Sequence, residues 1–467
     1  MIWTIFLLAQ AVLLYLILTN RSRSKSDPPL DKGVIPWLGH ALEFGKDASK
    51  FLNRMKQKHG DIFTVRVAGR YVTVLLDPHS YDTVINDSDS LDFTRYAQVL
   101  MERIFNLRLP HHQPAKAKAM TKRHFTGMDL SALNSTMSRH LQASLKAEMP
   151  QNQKDWKEEG LFNLSYSLLF KAGYLTLFGG EQNNNSADPS SIYEEYKKFD
   201  GLLTKMARGT LKPGSLTEDS GSSPWLHAYR RLLQEEGANE ETQKKAVLMQ
   251  LWATQGNVGP AAFWLLGYLL TNPEALTAVK RELSGISLME TSETSLLDRP
   301  VNTPVFDSVL EETLRLTAAP FITREVVQEK TLHMADGQEY MLRKGDRVCL
   351  FPFNSPQMDP EIHHEPQKYK YDRFLNEDGS VKRDFYKGGR RLKYYTMPWG
   401  AGTNGCVGKE FAINTIRKFV YMVLTNYDLE LCDPNAQMPE VNASRYGFGM
   451  LQPEGDLLVR YKPRNTH

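Results

Sequence analysis

Polar and apolar positions divide the chain into segments of different character. Met1 to Asn20 carries no charged side chain, and its middle, Phe6 to Leu18, is almost wholly apolar. As a helix it would rise about 30 Å, the thickness of a bilayer core. Arg21, Arg23 and Lys25 follow this run, and neither a basic leader nor a small-x-small cleavage site accompanies it. The pattern predicts a retained single-span anchor with the remaining chain in the cytosol. The prolines of Asp27-Pro28-Pro29-Leu30 and Pro36-Trp37-Leu38-Gly39 then predict a stiff hinge, because proline lacks the donor a helix needs.

Helical periodicity dominates the body. Strand signals come early, as in Ile62–Val67 and Tyr71–Leu76, joined across Gly69, with another short run at Arg347–Phe351 after Lys344-Gly345-Asp346. Ala246 to Leu270 reads as a long uncharged helix, but Thr254, Gln255, Gly256, Asn257, Gly259 and Pro260 make its centre too polar for a second membrane span. Pro260 cannot donate to the carbonyl of Gly256, so the helix should bend or open there. Gly256 and Gly259 would then bare backbone to a ligand beside Asn257. Asn272-Pro273-Glu274 predicts a fresh helix start. Two polar stretches, Glu181 to Ser191 and Gly209 to Pro224, read as surface loops. The pairs His111-His112 and His363-His364 read as solvated loop residues, since adjacent side chains point apart. No internal repeat is visible. The expected fold is mainly α with a small β portion: an anchor over 1–20 and one large domain over 21–467.

Composition narrows the class. A 467-residue chain with 41% apolar and 24% charged residues is neither disordered nor low-complexity. Its 57 basic and 54 acidic residues nearly balance, which argues against a nucleic-acid partner. The three cysteines, Cys349, Cys406 and Cys432, are too scattered for a disulfide framework and suit a reducing compartment.

One cysteine stands apart. Pro398-Trp399-Gly400-Ala401-Gly402-Thr403-Asn404-Gly405-Cys406-Val407-Gly408 crowds glycines around Cys406 ahead of a helical pattern. Close backbone amides and a helix N-terminus should lower its pKa and hold a thiolate. Cys349 and Cys432 have no such surroundings and read as ordinary free cysteines.

Trp399-x-x-Gly402-x-x-x-Cys406-x-Gly408 resembles the haem-binding loop of the haem-thiolate superfamily, the cytochromes P450. Glu312-x-x-Arg315, Asp359-Pro360-Glu361 and Arg373 match further motifs in that family's order, and the resemblance covers the whole chain. It implies the P450 fold around haem b (iron protoporphyrin IX), with Cys406 as axial iron ligand. Glu312, Arg315 and Arg373 are then fold-stabilising. Two departures narrow the chemistry. Gly256 and Asn257 stand where oxygen-activating members carry an acid and a threonine, and neither can relay protons near pH 7. Asn404 replaces a propionate-binding arginine, and Pro114 to Phe125 offers Lys116, Lys118, Lys122 and Arg123 without the usual tryptophan.

Leu251 to Trp264, Met101 to Phe105, Leu316 to Glu325 and Ser444 to Gly449 are similar to the branch of the family that isomerises prostaglandin H2. That resemblance implies an intramolecular oxidoreduction by O–O homolysis, without dioxygen and with no obligatory reductase partner. The sterol 12α-hydroxylase branch shares part of the same helix and is the alternative; a haem sensor or carrier without turnover is a third. The resemblance makes Asn257 the polar contact over the iron, with Trp252, five residues earlier, walling the same cavity or packing in the core. Arg324 and Arg103 are the expected propionate partners. Arg103, Leu109, Thr323, Arg324, Arg347 and Phe448 are the expected approaches to substrate. A monomer on endoplasmic reticulum membrane lipid completes the expectation.

Overall fold

A hairpin pairs Ile62–Val67 with Arg70–Leu75 and is buried on both faces: Ile62 and Leu75, directly opposite each other, join one apolar cluster, and Phe63, Val65 and Val74 join another. Arg347–Leu350 adds in parallel to Arg70–Leu75, and Ile322–Val326 pairs antiparallel with Arg347–Leu350. Short strands Leu30–Asp31 and Leu91–Asp92 complete the two edges. The computed structural model describes residues 24–109, 111, 113–149, 155–179, 188–208, 223–287 and 302–464, together with 3, 4, 6 and 10. Helices form most of the rest, so the expected mainly α architecture with a small sheet is present.

The uncharged central segment is two helices, Glu240–Gln255 and Val258–Thr271, parted at Gly256 and Asn257. Pro260 sits in the first turn of the second helix, where its missing donor is harmless. Gly259 does not bare backbone to a ligand. A Cβ there would lie 2.3 Å from Cδ2 of Tyr166, so its smallness lets this helix press against Leu161–Leu177. Trp264 anchors the second helix by donating from Nε1 to the carbonyl of Leu451 at 2.7 Å. Asn272 caps the next helix, Pro273–Ser287, by accepting from the Ala275 N–H.

Glu312, Arg315 and Arg373 form the expected cluster. Arg315 Nε and Arg373 Nε donate to the same Glu312 oxygen at 2.7 and 2.8 Å, and neither Glu312 nor Arg315 has exposed side-chain surface. Arg315 also donates to the Gln357 carbonyl. This satisfied charge network pins the helix Pro304–Thr317 to the segment that leads toward the cysteine loop.

Several expectations change. The loop read through Ser191 ends earlier, because Asp188 accepts from the Ser190 N–H and caps a helix, Pro189–Ala207. The preceding part of that loop, and Gly209 to Pro224 up to residue 222, lie outside the described residues. His363 is not solvated: it is buried, its ring meets the Tyr395 carbonyl at 2.9 Å, and burial pushes its pKa down to about 3. Most of Met1 to Asn20 also lies outside the described residues, among which no helix is long and apolar enough to cross a membrane.

Candidate functional site

The cysteine loop curls on itself through Gly400 N–H to Met397 O, Gly405 N–H to Gly402 O and Cys406 N–H to Trp399 O, the last at 2.9 Å. The helix Lys409–Asn426 begins three residues beyond Cys406. Cys406 is exposed and lines a cavity of about 390 Å³. Most of the wall is apolar, with Phe93, Phe125, Trp225, Phe321, Trp399 and Phe411 prominent. Asn257 reaches it from the helix break and Arg324 from the strand Ile322–Val326.

The thiol departs from expectation. Surrounding protein pushes the Cys406 pKa up, and this outweighs the Gly408 N–H, Lys118 and Lys409, which act in the opposite direction. The glycines bend the chain without gathering enough donors around the sulfur to hold a bare thiolate. A bound metal cation would supply the missing stabilisation, since a coordinating thiol is deprotonated outright.

Arg324 is 2% exposed, and its guanidinium lies 5.1 Å over the ring of Phe93. Nη1 donates to the Thr323 carbonyl at 3.0 Å, whereas Nη2 is buried with no hydrogen-bond partner among the described residues. Burial lowers its pKa, and nearby Asp92 only partly opposes this. A buried, unpaired guanidinium N–H is costly and calls for an anionic acceptor at the cavity wall. An exposed thiol, apolar aromatic walls and an unmatched cation together fit an iron porphyrin bearing carboxylates.

Asn257 is held by one specific bond: its Oδ1 accepts from the Met450 N–H at 3.0 Å. A backbone N–H can only donate, so the amide is oriented by chemistry and its Nδ2 group is the one left for the cavity. Gly449 makes room for this. A Cβ at Gly449 would fall 2.5 Å from Asn257 Oδ1, and the backbone there has φ +93°, which disfavours a side chain. Gly449→Ala is therefore expected to displace the amide. Turnover should fall about tenfold while the haem spectrum is retained, on the scale of losing one directed hydrogen bond.

Cys406, Asn257 and Arg324 are thus brought together, and the other expected residues lie outside the lining set. Trp252 packs 6.1 Å from Phe105, with its Nε1 buried and unpartnered among the described residues. Arg103 Nη1 donates to the carbonyl of Ala207, at the end of the helix Pro189–Ala207. Leu109 and Phe448 belong to the main core. The Thr323 hydroxyl donates to Cys349 Sγ at 3.4 Å on the opposite strand face from Arg324. Arg347 stacks over Tyr96 at 5.1 Å, with Nε buried and unpartnered among the described residues. Phe93, Gly449 and Met450 were not anticipated; the Gly447-x-Gly449 spacing was the signal for the last two.

The family profile for cytochrome P450 matches residues 28–216 and 189–459. The chain is 50% identical to prostacyclin synthase of Homo sapiens and 51% identical to prostacyclin synthase of Rattus norvegicus, in each case across 95% of both chains. It is 40% identical to 7-alpha-hydroxycholest-4-en-3-one 12-alpha-hydroxylase of Homo sapiens, across 96% of this chain and 95% of that one.

Proposed function

The chain belongs to the cytochrome P450 family, and from that premise we propose that it is a haem-thiolate isomerase converting prostaglandin H2 to prostacyclin. The observation that carries this reading is the composition of the cavity wall. Among the described lining residues there is no carboxylate, histidine, lysine or tyrosine to feed protons to dioxygen. The Thr254 hydroxyl, on the same wall, is turned back to the Gln250 carbonyl at 2.8 Å. An isomerisation needs no such supply, because the proton lost from carbon balances the one taken up by the new hydroxyl. The higher identity to prostacyclin synthases than to the 12-alpha-hydroxylase supports the same choice.

Haem, when bound, supplies an iron centre whose thiolate ligand favours O–O cleavage. Cys406 provides that sulfur, and Arg324 Nη2 is placed to pair with a cofactor carboxylate. Asn257 Nδ2 donates to an endoperoxide oxygen, held in direction by its bond to Met450. The aromatic walls exclude water from the radical that ring opening creates. Met1 to Asn20 holds the domain on the endoplasmic reticulum membrane; the basic residues after it and the exposed Val34, Ile35, Trp37 and Leu42 support a lipid-facing origin of the domain.

The test is turnover of prostaglandin H2 by the purified haem-loaded protein without reductase, NADPH or oxygen. Prostacyclin, or its hydrolysis product, is the expected result. No product, with sterol hydroxylation appearing only on addition of reductase, NADPH and oxygen, would overturn the proposal in favour of the hydroxylase branch.

A further inference from the structure

Asn257 is oriented by the backbone of Met450, so whatever fixes Met450 fixes the catalytic amide. Met450 lies in a loop whose base closes through the Asn442 N–H to the Gln452 carbonyl at 2.8 Å. Leu451 N–H donates to the Thr317 carbonyl, and the Gly449 carbonyl accepts from the Ala319 N–H. These bonds hold the loop to the chain that follows Pro304–Thr317, but they leave its position relative to the helix Pro189–Ala207 open.

At the helix end Arg208 Nη2 donates to the Ser444 carbonyl at 2.9 Å, and within the helix one side chain grips the loop on either side of Met450. Asp200, 4% exposed in the middle of the helix Pro189–Ala207, receives Arg445 Nη2 at 3.1 Å on Oδ1 and Gln452 Nε2 at 2.6 Å on Oδ2. Arg445 Nη1 also donates to the Asp200 main-chain carbonyl at 3.2 Å. One carboxylate therefore staples the loop on both sides of Met450. Arg445 is itself 4% exposed, so the staple is desolvated and its geometry is held by directed bonds on both oxygens.

We propose that Asp200 is a positioning residue for the reaction, acting through Arg445, Gln452 and the Met450 N–H to aim the Asn257 amide into the cavity. The inference rests on the isomerase reading for its consequence in turnover. Its structural half, the coupling of Asp200 to the Met450 amide, stands independently.

The experiment uses the full haem-loaded chain and two variants, Asp200→Asn and Gln452→Leu, with hydrogen exchange of the Met450 amide and prostaglandin H2 kinetics as readouts. Gln452→Leu removes one arm while leaving the Arg445–Asp200 ion pair, so it decides the question should Asp200→Asn fail to fold. Each variant is expected to speed Met450 amide exchange about tenfold and to lower kcat about tenfold with KM changed by less than about twofold. Combined with Asn257→Ala, neither should lower kcat further, because the amide they position is already gone. Unchanged exchange, or an equal loss of kcat in the Asn257→Ala background, would overturn the proposal. If the unaltered protein fails to turn over prostaglandin H2, the isomerase reading falls, and Met450 exchange still decides whether Asp200 sets the loop.

Discussion

Cys406→Ser is expected to abolish turnover and the haem-thiolate absorbance while leaving the polypeptide folded. A serine oxygen is a harder, weaker electron donor than a thiolate sulfur, so even if it meets the iron it cannot reproduce the thiolate's push toward O–O cleavage or its absorbance. The fold should tolerate the change for reasons visible around the loop. Cys406 is exposed toward the cavity, and the bond that sets its backbone is Cys406 N–H to Trp399 O, which serine keeps. Surrounding protein already pushes the thiol pKa up, so no buried thiolate is lost from the fold itself. Haem titration followed by absorbance, with far-ultraviolet circular dichroism as the folding control, checks this. A variant that bound haem with an unaltered spectrum would mean that another group holds the iron.

What could be read from the chain, and what could not, separates by range. The hairpin, the parted helix at Gly256 and Asn257, and the cysteine loop all depend on residues close together in sequence, where glycine, proline and alternation act directly. Gly259 was misread because its smallness serves Tyr166 on another helix, a contact that periodicity does not reveal. Thr323 and Arg324 were both expected at the substrate, yet adjacent strand residues face opposite sides, and only Arg324 lines the cavity. The strand Ile322–Val326 is not among the runs that alternation predicts, so the sequence offered no period by which to separate the two. The rise in the Cys406 pKa was not legible either, since it sums burial by elements brought together only by folding, and local glycines suggested the opposite sign. The same holds for the Met450 N–H. The glycines of Gly447–Gln452 mark a close approach of backbone, but they do not say which side chain, nearly two hundred residues earlier, the Met450 amide will orient.

Asn257→Ala is expected to lower kcat about a hundredfold, at the low end of what removing one preorganised donor from a transition-state oxygen does in other enzymes. The low end is appropriate because homolysis spreads an unpaired electron over the leaving oxygen and builds less charge than a tetrahedral oxyanion. KM should change little, since an interaction that strengthens only as the O–O bond stretches contributes to kcat rather than to ground-state binding. The substitution also strips the Met450 N–H of its acceptor, at a cost of about 1–3 kcal/mol in stability if water does not replace it. Chemical denaturation therefore belongs beside the kinetics, and so does the haem spectrum, because Cys406 and Arg324 are untouched and cofactor binding should be unaltered. Unchanged kcat in a stable, haem-loaded variant would show that the amide serves only to close the helix break. A collapse of haem binding together with kcat would instead place Asn257 in the architecture of the cofactor pocket. Lowered kcat with intact haem and near-constant KM is the outcome that assigns Nδ2 to the reacting oxygen.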